Sequence, residues 1–263
     1  MNEEEKKTLK MISMNPNYIK TISNPTEEMQ MAAIEANGML LNYIENPTEK
    51  VQWEALKRNK WAIEYIENPS EEMKLFAIEQ AWNTLKFIKN PSDVLIKSAI
   101  KQKGWAIQFC KNPAEDMQLQ AVIKDWDSIK YIENPLERVQ LAAVKNEWSA
   151  IKYIKNPSLE AEKQAIFQNE EAVIYIDNIT EESWCEFIRV NIKVLKYLDG
   201  KVQLAKIERI LKEKLSDKNT DKDYIIDFIE DDILDIDKVK FIHKYGSMEA
   251  KATLVDYKLT TLR

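Results

Sequence analysis

NPTEKVQWEALKRNKWAIEYIE (Asn46–Glu67) and NPLERVQLAAVKNEWSAIKYIK (Asn134–Lys155) agree at every structural position, and each is 22 residues long. Asn-Pro pairs recur at that interval seven times, at Asn24-Pro25, Asn46-Pro47, Asn68-Pro69, Asn90-Pro91, Asn112-Pro113, Asn134-Pro135 and Asn156-Pro157. A fixed period of this length marks a tandem array in which each unit buries its apolar face only by stacking on its neighbours.

The residues of the unit predict a pair of short helices. Asn before proline reads as an N-cap, with proline at the first helical position and Glu27, Glu49, Glu71, Asp93, Glu115 and Glu137 at the third. Apolar residues then fall at unit positions six, ten and eleven, as in Val139, Ala143 and Val144, which is one face of a 3.6-residue period. Position ten is alanine in seven units, Ala33, Ala55, Ala77, Ala99, Ala121, Ala143 and Ala165, so neighbouring helices are expected to approach closely there. After a break near Gly38, Gly104 and their equivalents, a second apolar cluster such as Ile63, Tyr65 and Ile66 predicts a short second helix. Stacking must hold it, since an isolated helix of that length is unstable in water. Position twenty is aromatic from Tyr43 to Tyr197, and this ladder, like Met29, Met73 and Met117, is read as core packing.

The ends depart from the pattern. A degenerate first unit covers roughly residues 2–23; at the other end Asn178 keeps the period while Ile179 replaces proline and Phe187 replaces alanine. The expected organisation is an all-α, right-handed α-solenoid over 1–199 followed by a helical C-terminal cap over 200–263. The cap is expected to contain a long helix to about Leu215, a polar break at Asp217 to Asp223, and helices around Tyr224–Ile236, Asp237–Tyr245 and Ser247–Lys258. Net charge is −6, and the segment 217–237 holds nine acidic residues against two lysines, so the acidity is concentrated in the cap. No apolar stretch approaches the length of a membrane span and no secretory leader is evident, which together with two separately placed cysteines, Cys110 and Cys185, suggests a cytoplasmic protein with free thiols.

The run Val139-x-x-Ala142-Ala143-Val144, continued by Ala150-Ile151-x-x-Ile154-x-Asn156-Pro157, resembles the leucine-rich repeat variant and, more broadly, HEAT-like α-solenoids. Met31-Ala32-Ala33-Ile34-Glu35-Ala36-Asn37-Gly38-Met39-Leu40-Leu41 is similar to repeat domains of bacteria and phages. The resemblance covers roughly residues 2–199 and implies paired short helices in a superhelix. It departs from the leucine-rich repeat variant in its 22-residue unit and its lack of a cysteine cluster, so no metal centre is implied.

Catalytic signatures are absent from the chain. His243 is the single histidine, and none of the four glycines stands in a phosphate-cradling motif. No catalytic, cofactor-binding or metal-binding residue is therefore assigned. What remains is a run of tryptophans at the corner between the two helices, Trp61, Trp82, Trp105, Trp126 and Trp148, joined by Lys86, Lys130 and Lys152 on the second helix. Exposed, these residues would form a recognition ridge; folded inward, the rings would be wedges between units. Trp53 and Trp184 occupy other positions and read as packing residues.

The function expected is a non-catalytic scaffold that binds a protein partner. The phage-repeat likeness and the bias of 33 lysines to 5 arginines add a counter-defence inhibitor as an extension. The alternative is a protein that sequesters nucleotides or nucleic acid through tryptophan stacking and lysines, and a third reading is a HEAT-like DNA-modifying enzyme. The acidic pI and the interleaved Glu45, Glu64, Glu67 and Glu133 weigh against nucleic acid.

Overall fold

The computed structural model describes residues 2–261, which are all-α, with no strand among them. Each repeat is an α-helix followed by a six-residue 3₁₀ helix, and consecutive pairs pack on one another in the manner of an α-solenoid. The chain forms two compact units, divided between Ile132 and Glu133. The first contains α1 (Glu3–Met14), η1 (Pro16–Thr21), α2 (Glu27–Ala36), η2 (Gly38–Tyr43), α3 (Glu49–Arg58), η3 (Lys60–Tyr65), α4 (Glu71–Gln80), η4 (Trp82–Phe87), α5 (Asp93–Gln102), η5 (Gly104–Phe109), α6 (Glu115–Lys124) and η6 (Trp126–Tyr131). The second continues with α7 (Glu137–Asn146), η7 (Trp148–Tyr153), α8 (Leu159–Gln168), η8 (Glu170–Tyr175), α9 (Glu181–Val190) and η9 (Ile192–Tyr197). Four further helices follow, α10 (Leu204–Ser216), α11 (Lys222–Glu230), α12 (Lys238–Tyr245) and α13 (Met248–Thr261).

The helix starts lie two residues beyond the Asn-Pro pairs, a correction to the expected cap. The residue after proline is the N-cap: Thr26, Thr48, Ser70 and Ser158 accept from the backbone N–H groups of Met29, Val51, Met73 and Ala161 at 3.2–3.4 Å. The acidic residues therefore stand at the first helical position, still favourable to the helix dipole. Asn-Pro makes the turn before the cap. Asn46 and Asn90 have φ of 49° and 48°, in the left-handed region that asparagine tolerates better than most side chains. Asn178 has φ 54° although Ile179 follows it, so the turn there forms without proline.

The proline carbonyl has its own partner. Gln30, Gln52, Gln118 and Gln140, all at unit position seven, donate Nε2–H to the carbonyls of Pro25, Pro47, Pro113 and Pro135 at 2.8–3.0 Å. Position seven of α8 is Glu162, and burial pushes its carboxyl up to about 7. The folded state then holds its proton up to a higher pH than the unfolded chain does, so stability falls as pH rises between about 4.5 and 7 and stays lower above. Glu162→Gln, which supplies the amide that four other units carry there, is expected to remove this slope and to raise stability at pH 8 by about 1–2 kcal/mol after allowance for partial exposure. Denaturant unfolding at pH 5 and pH 8 measures it, and an equal slope in both proteins would refute the assignment.

The break between the two helices is made at position fourteen rather than at glycine. Its residue is at once the C-cap of the α-helix and the N-cap of the 3₁₀ helix, with φ near −150° in extended backbone; Asn37, Asn59, Asn169 and Asn191 accept there from the N–H two residues on, at 2.8–3.0 Å. Inside, the core is built as the period requires: Met29, Val51, Met73, Leu95 and Met117 at position six and the seven alanines at position ten are buried, as are Ile63, Ile66, Ile107 and Ile151 of the 3₁₀ helices. The aromatic ladder is only partly core, against expectation: Tyr65, Phe87, Phe109, Tyr131 and Tyr197 are half-buried, with Tyr65 and Phe87 packed against the core. Tyr43, Tyr153 and Tyr175 are 49%, 47% and 42% exposed, because position twenty closes the 3₁₀ helix on its outer side while positions seventeen, eighteen and twenty-one turn inward.

The repeat conformation ends at a left-handed pair, Asp199 and Gly200, with φ of 43° and 72°. In the second unit the cap is tied to the last repeat by Tyr224, whose hydroxyl donates to the Ile188 carbonyl at 2.8 Å, by Lys193–Asp227 at 2.9 Å and by Arg189–Glu213 at 2.6 Å. The helix expected over 224–236 stops at Glu230. Asp231 then accepts from the Leu234 N–H at 3.1 Å and pairs with the nearly buried Lys238 at 3.0 Å, which fixes the turn into α12. Part of the acidic segment is thus neutralised within the cap. Cys110 and Cys185 are free thiols, both pushed up by burial, and His243 is exposed on α12.

Candidate interaction edge of the 3₁₀ helices

The corner tryptophans occupy two registers. Trp61 and Trp105 are the second residues of their 3₁₀ helices, whereas Trp82, Trp126 and Trp148 are the first. All five are half-buried. In the first unit, Trp61 meets Phe87 of the following repeat edge-on at 6.1 Å, and Trp105 meets Tyr131 in the same way at 6.3 Å. In the second unit, Trp148 lies 6.4 Å from Tyr175 of the following repeat. These rings bridge consecutive repeats, as wedges would, yet each keeps part of its surface outside.

The three lysines join these pairs. Lys86 Nζ is 5.5 Å from the Trp61 ring and 4.5 Å from Phe87; Lys130 Nζ is 4.1 Å from Trp105 and 5.1 Å from Tyr131; Lys152 Nζ is 5.2 Å from Trp148 and 4.3 Å from Tyr175. An ammonium over an aromatic face is worth about 0.5–1 kcal/mol at exposed sites, enough to orient a side chain that would otherwise sample solvent. Trp61 and Trp105 in the first unit and Trp148 in the second thus each stand with one of the three lysines.

The Trp105 cluster is the most completely built. Its indole N–H donates to Asp127 Oδ1 at 2.6 Å, and Lys130 pairs with Asp127 Oδ2 at 3.0 Å. Lys103 Nζ lies 4.8 Å from the same ring and pairs with Asp125 at 2.6 Å, while Asp125 also accepts from the Gly104 N–H at 2.7 Å. Burial raises the Asp127 carboxyl, but the Trp105 and Lys130 donors outweigh it and hold it below the ordinary carboxylate range. Two lysines and two aspartates leave the cluster without net charge. In the second unit Lys196 takes the corresponding place over Tyr197 at 5.0 Å and pairs with Glu170 at 2.8 Å.

Asp125, Asp127 and Glu170 were not singled out from the sequence. Their signal lay in the spacing: the tryptophans follow one another at 21, 23, 21 and 22 residues, off the regular period, which separates two registers and two sets of neighbours. Among the described residues no group of three or more His, Cys, Asp or Glu is placed to hold a metal ion, and no helix is long and apolar enough to cross a membrane.

The fold and this edge define a helical tandem-repeat protein. Comparison with known protein families, with curated proteins and with solved structures finds no match to this chain.

Proposed function

We propose that the chain is a non-catalytic, HEAT-like repeat scaffold that binds a protein partner through the tryptophan–lysine–aromatic clusters of its 3₁₀ helices. One observation carries this reading: at Trp105 the lysine heads are fixed over a half-buried aromatic pair and balanced by Asp125 and Asp127. Aromatic surface with oriented, charge-matched polar groups is the chemistry of protein interface anchors. Nucleic acid needs unpaired cations along a track and open ring faces for its bases. Here lysines lie over the rings and carboxylates neutralise Lys103 and Lys130, which favours the protein reading over the nucleotide one.

The test is affinity capture from the native host with the wild type and with a Lys86→Glu/Lys130→Glu/Lys152→Glu variant. Lysine is preferred to tryptophan for substitution because loss of a bridging ring would also cost folding stability. A specific protein retained by the wild type and lost, by about tenfold or more in affinity, by the variant is expected. Equal retention, or capture of nucleic acid alone, would remove this edge from the binding surface.

A further inference from the structure

The α-helical side of the first unit carries a groove with an apolar floor and a charged rim that repeat stacking leaves uncovered. Leu9, Met31 and Trp53 stand 22 residues apart on α1, α2 and α3, all half-buried, and line two adjoining grooves that share Met31, Glu35 and Lys50. Trp53 is held in place by an edge-on contact with Phe76 of α4 at 5.7 Å. On α4 the same register is Leu75, half-buried but outside both grooves, and on α5 it is Lys97, paired with Asp116 at 2.8 Å, so the apolar row ends there. The rim is acidic: the lining residues include four glutamates against two lysines, and Glu28 and Glu35 are exposed and form no ion pair among the described residues.

Spacing selects the form of the occupant. Packed helices lie about 8–10 Å apart, so the three apolar residues recur at nearly the rise of seven helical residues, about 10.5 Å. A crossing helix keeps residues i, i+7 and i+14 on one face. A β-strand covers the same distance in about three residues, which turns successive anchors to opposite faces.

We propose that this groove docks a basic amphipathic helix of about 15 residues from a protein partner, its apolar residues at i, i+7 and i+14 seated on Leu9, Met31 and Trp53 and its lysines or arginines facing Glu28 and Glu35. This surface is formed by the α-helices, not the 3₁₀ helices, and stands independently of the tryptophan–lysine edge.

The test titrates the full chain by calorimetry with a synthetic helix of about 18 residues carrying leucine at those three positions and lysine on their flanks. Binding is expected, weakened about tenfold or more by Glu28→Lys/Glu35→Lys and by exchanging the peptide's lysines for glutamates. Should the double reversal fail to fold, Glu28→Gln/Glu35→Gln gives the same reading with a smaller loss. No binding by the lysine peptide, equal binding by the glutamate peptide, or an affinity indifferent to both double variants would overturn the proposal. So would self-association of the chain abolished by Met31→Glu, which would make a second copy the occupant.

Discussion

Phe187→Ala is expected to lower folding stability by about 3–5 kcal/mol. Phe187 takes the register filled by alanine in the seven preceding units, and it is wholly buried, edge-on to Trp184 at 6.0 Å. An alanine suffices where one repeat helix packs on the next. The next α-helix packed on α9 is α10 of the cap, and the larger ring fills the space that a different neighbour leaves. Denaturant unfolding followed by circular dichroism measures the loss, and a change below about 1 kcal/mol would mean that the site collapses around the smaller residue without a cavity.

Gly104→Ala is expected to cost about 2–3 kcal/mol, at the upper end of overpacking effects. A Cβ there would meet the main-chain oxygen of Ala121 and, at 2.5 Å, Ser128 Oγ, so backbone of the next repeat would have to move. The same step opens η5 and carries the N–H that donates to Asp125, so the change should also loosen the Trp105 cluster. Gly200→Ala is the control: nothing lies within 4 Å of its Cβ, and only its left-handed φ of 72° opposes substitution, a cost of about 1 kcal/mol. Equal unfolding midpoints for the two variants would show that close approach at Gly104 does not limit stability.

The architecture was readable because the period and the apolar positions agree unit after unit, so that Val51, Ala55, Leu56 and Ile63 of one repeat forecast the buried set of the next. What the residues did not disclose was conformation at the joints. Asn-Pro carries a strong N-cap signal, yet Thr or Ser follows it in most units and supplies a hydroxyl at the cap, while asparagine is drawn into the turn. The second helix was readable in length and apolar content but not as 3₁₀, and that winding is what turns Tyr43, Tyr153 and Tyr175 outward. At the candidate edge the tryptophans and lysines were found from sequence. Their carboxylate partners were not, since Trp105 and Asp127 are 22 residues apart and meet only through stacking.

Lysine footprinting of the captured complex tests the proposed binding edge most directly. With amine acetylation read by mass spectrometry, Lys86, Lys130 and Lys152 should each be protected when the partner is bound, while Lys218 and Lys251, outside the 3₁₀ helices, keep their free rates. Unchanged labelling of all three in a complex that has formed would contradict the account.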